Sequence, residues 1–530
     1  MGEKRLLVKS GLAGIFFTGL TRAVNFVYLI LLARLFLPEE IGAFFLVVSV
    51  MTLVNIFSDL GVASILTRYL PYFEGKKEKI SKTIEITVVG GLGLALITSC
   101  LIFVFSEQIA TLIGAPEISE TLRMTVPYLI LLEIIGIGTG ILNSRRKVFE
   151  PLVATFSITA LKLILTVGLF YILGSSMIAL ILGLLLASLG GAIYLAFSSV
   201  REAKHLGYEK TDVKISEYFS LGRELFIFGS IVSILNFFGN MVGPLNQIMI
   251  VNFSTGDVLA EVAVFVIAIS LGGVLTVFGG AFGRLLLPIT SKLHGLKDFS
   301  RIRELTETAT RGGMMLMLPP AIIFIVFSKE LLGLLYGGTY SQGWFVVSIF
   351  VISLLIKMLS TYGRTVLTAM RLVDIEFRIL CATFLVLVVS NILLIPPYGI
   401  NGAALSILIS RIVLFLLEYY YCRKVYQFKI FQGYGRVFLS ALIIFMLFVF
   451  LKGEIWGIVQ QISSTFSLGA YDLEIEEKLL KISVMGLIFI LSFAAYFAVL
   501  FLLGGIGKDE RKLFSLAYAK AMRMLGKNNN

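Results

Sequence analysis

The sequence predicts an all-α polytopic membrane protein with about fourteen transmembrane helices, arranged as two pseudo-symmetric six-helix lobes plus two C-terminal helices. Three observations predict it. Apolar residues make up 58% of the 530 and charged residues only 15%, with mean hydropathy +0.95, whereas a soluble domain has roughly 25% charged residues. Apolar windows of about 20 residues, enough to cross a hydrocarbon core of ~30 Å, recur along nearly the whole chain. Lys and Arg gather at alternate ends of those windows. A β-barrel would show short alternating segments, whereas runs such as Leu161 to Leu173 and Phe438 to Leu451 are long and continuously apolar.

The spans are expected at 11–35, 41–66, 84–106, 122–144, 151–173, 176–200, 222–250, 262–290, 312–336, 344–370, 377–396, 399–421, 434–456 and 482–504. Span 1 holds Arg22 about eleven residues in, roughly 16 Å along the helix and too deep to snorkel easily to either surface. Thr18 and Asn25 stand at i−4 and i+3 from it, making a polar stripe on one face. Span 2 carries Asp59 toward its predicted cytoplasmic end, and span 4 carries Glu133. Span 5 has Lys162 at its centre. Span 7 is rich in amides, Asn236, Asn240, Asn246 and Gln247, with Gly239, Gly243 and Pro244 among them. Pro244 should kink or break that helix, and the amides then either satisfy the freed backbone or line a pore. Span 10 centres on Lys357; span 12 carries Arg411 and, nearer its cytoplasmic end, Glu418.

A charge at bilayer depth costs about 3 kcal/mol or more, so Arg22, Lys162, Lys357 and Arg411 are expected to face a wet or protein-lined interior. One reading pairs each with a buried acid, Asp59, Glu133 or Glu418. The other keeps an excess of positive charge for an anion such as phosphate or pyrophosphate, for which Arg offers bidentate contacts and Lys a point charge. The candidate substrate site is therefore Arg22, Lys162, Lys357 and Arg411 with Thr18, Asn25, Asn240 and Gln247. Glu133, Asp59 and Glu418 form a candidate coupling-ion site for a proton or sodium.

The net charge of +12 reports topology rather than nucleic-acid binding. Most Lys and Arg fall in the N-terminus, 68–82, 145–147, 201–223, 284–311, 364–378, 423–436 and the tail from Lys508. The opposite side holds Arg34, Arg123, Lys329, Lys452, Lys478 and Lys481. Both termini are thus expected to be cytoplasmic. The first apolar run lacks a small-residue cleavage site and reads as a retained helix. Cys100, Cys381 and Cys422 lie within or at the ends of spans and offer no disulfide framework. The sequence has no GxxxxGK[ST], HExxH or CxxC motif, and His205 and His294 sit in predicted cytoplasmic loops, so no cofactor or metal chemistry is expected. The sequon Asn252-Phe253-Ser254 abuts a span.

The chain repeats at an offset of roughly 220 residues. Arg68-Tyr-Leu-Pro71 after span 2 matches Arg284-Leu-Leu-Leu-Pro288 after span 8. Ile141-Leu-Asn-Ser-Arg-Arg-Lys-Val-Phe-Glu150 after span 4 matches Val366-Leu-Thr-Ala-Met-Arg-Leu-Val-Asp-Ile-Glu376 after span 10. Six spans per lobe is an even number, so the repeats are parallel. The expected domains are 1–205 and 206–425 for the lobes, with the boundary in the polar segment Arg201 to Ser220, 426–507 for the two added helices, and 508–530 for a cytoplasmic amphipathic tail. The tail sets Leu513, Leu516, Ala517, Met524 and Leu525 among basic residues, suiting an anionic leaflet. An outer loop from Gly453 to Lys481, with Glu454, Asp472, Glu474, Glu476 and Glu477, is expected as a solvated segment.

Leu32-Ala-Arg-Leu-Phe-Leu-Pro-Glu-Glu-Ile-Gly42, then Ser58-Asp-Leu-Gly61 and Arg68, resembles the opening of polysaccharide transporters. These form the O-antigen flippase branch of the multidrug/oligosaccharidyl-lipid/polysaccharide exporter superfamily. Leu318-Pro-Pro320, the Leu-Tyr-Gly-Gly-Thr-Tyr run at 335–340 and Pro397-Tyr-Gly-Ile-Asn-Gly-Ala-Ala-Leu405 resemble later stretches of the same branch, so the likeness covers about 10 to 425. It implies two six-helix bundles in a V around a central cavity in a cell membrane. It also implies alternating-access export of a polyprenyl-(pyro)phosphate-linked oligosaccharide to the outer leaflet for cell-surface polysaccharide, with no covalent chemistry. The four deep cations would receive the pyrophosphate and sugars. One departure is that the branch often has an acid in span 7, where this chain has Asn246 and Gln247. A cation-coupled drug antiporter and a lipid II flippase of the same superfamily are the alternatives. The first would want intramembrane carboxylates to exceed cations. A membrane glycosyltransferase would need an outer loop with paired acids or a large catalytic loop, and Glu39-Glu40, the only acid pair near the first outside turn, suits helix capping.

Overall fold

The computed structural model describes residues 2–174, 176–208, 215–279, 283–370, 372–428, 434–466 and 473–505. The expected tail at 508–530, part of the expected lobe boundary at 209–214, and Asp472 lie outside the described residues, as do the side chains of Glu474, Glu476 and Glu477. Among the described residues every regular element is helical and no strand occurs. Among the same residues, twelve helices are long and apolar enough to cross a membrane. The chain is a multi-pass α-helical membrane protein, as its composition requires.

The helices cluster into two compact units, Met1–Ile267 with Asn391–Ala403, and Ala268–Ser390 with Ala404–Asn530. The first contains α1 (Gly2–Leu35), α2 (Pro38–Asp59), α3 (Val62–Tyr72), α4 (Lys77–Val104), the short α5 (Ser106–Leu112) and α6 (Ser119–Thr125), and α7 (Pro127–Ser144). It continues with α8 (Phe149–Leu173), α9 (Ser176–His205), α10 (Ile215–Asn240), α11 (Val242–Phe253) and most of α12 (Val258–Gly273).

Span 2 is two helices. Leu60 (φ 41°) and Gly61 (φ 68°) both adopt the left-handed region, which ends α2 at Asp59 and lets α3 begin at Val62. Helix α3 then buries Val62, Ile65, Leu66 and Tyr69 against Ile80 and Ile84 of α4 and Ile137 and Ile141 of α7. In lipid, such contacts hold through close packing rather than water exclusion. Span 7 also breaks, as its proline predicts, although at Met241 rather than at the proline itself. Pro244 has no N–H to give the Asn240 carbonyl, so the helical bond across that step is missing and α10 gives way to α11.

The second unit contains α13 (Thr276–Gly279), α14 (Gly283–Gly295), α15 (Phe299–Val326), α16 (Ser328–Leu335), α17 (Trp344–Ala369), the legs of α18 (Val373–Tyr426), α19 (Gly435–Phe466) and α20 (Leu473–Leu502). The span expected at 262–290 is not one continuous helix but is divided among α12, α13 and α14. Beyond Gly272 and Gly273 the backbone switches to i→i−3 bonds, Leu275 N to Gly272 O (3.1 Å) and Val277 N to Val274 O (3.2 Å). Glycine-rich sequence favours that tightening because it adds no side-chain packing to hold the wider helix. The expected outer loop is also largely helical: α19 runs on to Phe466 and α20 begins at Leu473.

Helix α18 is 54 residues long and would measure roughly 80 Å if straight. It reverses instead at Pro396-Pro397-Tyr398-Gly399, where Gly399 takes φ 52°, ψ −133°. The Ser410 hydroxyl donates to the Thr383 carbonyl at 3.0 Å, so the two legs lie antiparallel, and they account for two of the expected spans.

Asp298 caps α15: its Oδ1 accepts from the Arg301 backbone N–H at 3.1 Å and the Ser300 hydroxyl at 2.8 Å. Those donors hold the Asp298 carboxyl below the usual range, led by the Ser300 bond. Its contribution is present at neutral pH and lost as pH falls through that depressed value. Asp298→Ala is expected to speed amide exchange in the first turn of α15 severalfold while leaving α17 unchanged, as hydrogen-exchange mass spectrometry would show.

Candidate functional site: intramembrane charges

In the second unit, α17 places Lys357, Ser360, Thr361 and Arg364 at i, i+3, i+4 and i+7, hence on one face. The returning leg of α18 presents Arg411 and Glu418, two turns apart on one stripe, and its outgoing leg presents Glu376. Arg364 closes on Glu376, with Nε at 2.8 Å and Nη2 at 2.6 Å from Oε1, and the Thr368 hydroxyl donates to Oε2 at 3.2 Å. That carboxylate is therefore committed to Arg364.

Lys357 lies in the electrostatic field of Arg411, Arg364 and Glu418, with Arg411 its strongest neighbour. Glu418 is buried, with Ser360 beside it and Oε2 lacking a hydrogen-bond partner. Neither Lys357 nor Arg411 forms a salt bridge to a carboxylate among the described residues. Three cations, Lys357, Arg364 and Arg411, thus share this cluster with two carboxyls, Glu376 and Glu418. The surplus is positive, as an oxyanion site requires.

The first unit divides its charges differently. Lys162 on α8 lies 4.3 Å from the centroid of the Tyr28 ring on α1, a cation–π seat for an ammonium that has no acid beside it among the described residues. Tyr28 itself is fully buried. Arg22 is exposed on α1, with Thr18 and Asn25 half-buried on the same helix. Asn240 is exposed at the end of α10. Gln247 is buried, and its Oε1 accepts from the Ser49 hydroxyl at 2.8 Å, which ties α11 to α2. Asn246 is buried too, its amide donating back to the Val242 carbonyl.

Asp59 and Glu133, the two deep acids singled out in the first unit, both lie at α7. Glu133 on α7 is 1% exposed, and neither of its oxygens has a hydrogen-bond partner among the described residues. The backbone amides of Gly61 and Val62 face the Asp59 carboxyl.

Sequence reasoning singled out Lys357, Arg411 and Glu418 but missed Ser360, Arg364 and Glu376. The i+7 spacing of Arg364 from Lys357 was the available signal, masked because Arg364 reads as an ordinary basic residue at a span end. Tyr28 was missed because an aromatic within an apolar helix carries no mark of a cation partner.

Residues 31–344 match the model of the family described as polysaccharide biosynthesis protein. The chain is 21% identical over 417 residues to the capsular polysaccharide biosynthesis protein CapF of Staphylococcus aureus, a match covering 77% of this chain and 97% of that one. It is 20% identical over 412 residues to a protein of Shigella flexneri named as an O-antigen transporter, covering 74% and 92%. Its fold resembles that of the lipid II flippase MurJ in an inward closed conformation, with a TM-score of 0.69 at 17% identity over 92% of this chain and 98% of that one. The match to the family model spans more than half of the sequence, and the chain belongs to the polysaccharide biosynthesis protein family.

Proposed function

We propose that this protein is a flippase moving a polyprenyl-(pyro)phosphate-linked oligosaccharide from the cytoplasmic to the outer leaflet of the cell membrane by alternating access, for cell-surface polysaccharide export. The observation that carries the reading is the Lys357–Arg411 pair: two cations in membrane-spanning helices with no carboxylate closed on either. Such charges are expensive unless they serve an anion, and a lipid-linked (pyro)phosphate brings one to that depth. The family and its O-antigen-transporter relative support the same substrate class. Lys162, seated on the Tyr28 ring, and Arg22 with Thr18 and Asn25 serve as further contacts for phosphate or sugar; Asn240 adds an exposed amide. No covalent step is involved, and the polyprenyl chain stays in lipid.

The distribution of Lys and Arg supports cytoplasmic termini. The cycle is coupled to a cation, for which the first unit offers the carboxyls Asp59 and Glu133, while Glu418 lies among the cations of the second. The test is flipping of a labelled polyprenyl-pyrophosphate oligosaccharide by the full chain in proteoliposomes. Transport at least tenfold above protein-free vesicles is expected. No flipping, with a cationic dye moved instead, would replace this reading with a drug antiporter; movement of lipid II alone would replace it with a peptidoglycan-precursor flippase.

A further inference from the structure

We infer that the cleft formed by α16, the turn after it, and the parts of α19 and α20 around Trp456 and Lys481 is a carbohydrate-binding site for an acidic sugar unit, such as a uronate, of the exported glycan. The inference rests on the flippase reading for the side of the membrane on which the cleft lies and for the source of the glycan. The cleft itself belongs entirely to the second unit.

Its lining comes from four stretches of chain. Helix α16 contributes Lys329, Glu330, Gly333 and Leu334, which the helical period sets on one side. The chain leaves α16 at Tyr336 and winds into a 3-10 turn, Gly338–Gly343, that carries Ser341. Tyr336 and Tyr340 are buried with ring centroids 6.4 Å apart and anchor that turn. Both belong to the Leu-Tyr-Gly-Gly-Thr-Tyr run at 335–340, to which the deep cations give no role. A Cβ on Gly333 would stand 2.8 Å from Ser341 Oγ, so the missing side chain is what brings the hydroxyl up to α16. Trp456 of α19 and Lys481 of α20 complete the wall. The enclosed space is about 430 Å³, in the range of roughly 300–1,000 Å³ typical of small-molecule sites.

Each group matches a part of an acidic pyranose. Trp456 is half-buried and one of two tryptophans in the chain. The face of an indole is electron-rich and attracts the polarised C–H bonds on one side of a sugar ring. A tryptophan that merely anchors a helix sits between lipid and water, whereas Trp456 shares a cavity with a glutamate and two lysines. Lys452 holds Glu330, Nζ to Oε1 at 2.9 Å, while Glu330 Oε2 has no hydrogen-bond partner among the described residues. The ion pair offsets the charge that would repel an acid and still leaves an acceptor for a sugar hydroxyl. Ser341 adds a hydroxyl that donates as well as accepts. Lys329 is exposed at the rim and makes no ion pair among the described residues, so its ammonium is placed for a sugar carboxylate.

The position of these cations argues for an anion. Insertion topology concentrates Lys and Arg on one side of the membrane and leaves few on the other. Lys329, Lys452 and Lys481 are among those few, and they gather at this cleft. Arg123, another of them, is instead paired with Glu107 at 2.9 Å in the first unit. The exposed Glu454 of α19 is not part of the lining. A lipid headgroup would satisfy the ammonium groups but brings no flat C–H face for the indole, and a neutral sugar would leave Lys329 without a counter-charge. An acidic sugar uses the indole, the carboxylate, the hydroxyl and the ammonium together. Holding such a unit on the far side of the membrane retards the return of the glycan on its lipid.

The test reads Trp456 directly. Trp344→Phe removes the other tryptophan, which does not line the cleft, so the emission of this full-length variant in detergent micelles reports on Trp456 alone. Trigalacturonate should change that emission saturably, and maltotriose and glycerol phosphate should each bind at least tenfold more weakly. Adding Lys329→Glu should weaken trigalacturonate at least tenfold and leave maltotriose unchanged; because Lys329 is exposed, the thermal midpoint should hold. Ser341→Ala should weaken both sugars severalfold and provides a second readout. The inference is overturned by no saturable change, by equal binding of the two sugars, by tighter binding of glycerol phosphate, which would make the cleft a headgroup site, or by indifference to Lys329→Glu. In proteoliposomes Lys329→Glu should slow export of an acidic lipid-linked glycan severalfold and spare a neutral one. If trigalacturonate binds as stated while the wild type flips no glycolipid, the flippase reading fails and the sugar site stands. If the wild type flips glycolipid and the cleft binds no uronate, the flippase reading stands and this inference falls.

Discussion

Lys357→Ala and Arg411→Ala are each expected to cut flipping of a polyprenyl-pyrophosphate oligosaccharide by tenfold or more, and the double variant to abolish it, with membrane insertion and yield unchanged. A charge-assisted contact to phosphate is worth about 1.5–3 kcal/mol, which converts to roughly 10–150-fold. Because neither side chain closes a salt bridge to a carboxylate, truncation leaves no acid stranded in an ion pair. It also relieves the repulsion between the two cations. The contrast is Arg364→Ala. That change frees the Glu376 carboxylate from bonds of 2.6 and 2.8 Å, so folding should suffer along with transport. Thermal unfolding in detergent separates the cases. If Lys357→Ala and Arg411→Ala lose folded protein in step with transport, the pair is structural and its assignment to the substrate is wrong.

The balance of charge in each unit follows from which residues the helices bring together, and only part of that is written locally. A cation inside an apolar run is conspicuous, so Arg22, Lys162, Lys357 and Arg411 were legible in the sequence. Arg364 and Glu376 were not, because a charge at a span end is the ordinary signature of a water-facing terminus. That Asp59 lies against α7, which carries Glu133, depends on how α2 and α7 pack, which no spacing encodes. The fold shows the same division. Long apolar runs marked the spans, and Pro244 announced the interruption of span 7. The division of 262–290 into three helices went unread because hydropathy stays high through glycines that fail to hold an α-helix. The outer segment from Gly453 looked polar enough for a loop, yet α19 continues to Phe466, with Lys452 paired to Glu330 of α16 at 2.9 Å near where that extension begins.

Gly402→Leu is expected to damage folding severely. The hairpin of α18 turns within four residues, and its legs come so close that a Cβ at Gly402 would stand 2.0 Å from the carbonyl oxygen of Leu394 and 2.4 Å from its carbonyl carbon. Those are backbone atoms, which cannot swing aside as a side-chain terminus does, so the legs must part. Overpacking alone costs about 1–3 kcal/mol. Separating the legs would also strain the turn at Gly399, whose φ of 52° and ψ of −133° few other residues tolerate. Gly402→Ala should lower the thermal midpoint in detergent by several degrees, and Gly402→Leu should leave little monodisperse protein. Gly457→Leu is the control: a Cβ there on α19 meets nothing within 4 Å, and the midpoint should hold. Equal loss in the control would mean that any bulky addition to a helix is tolerated poorly. Retention of stability by Gly402→Leu would mean that the two legs do not approach as closely as the turn demands.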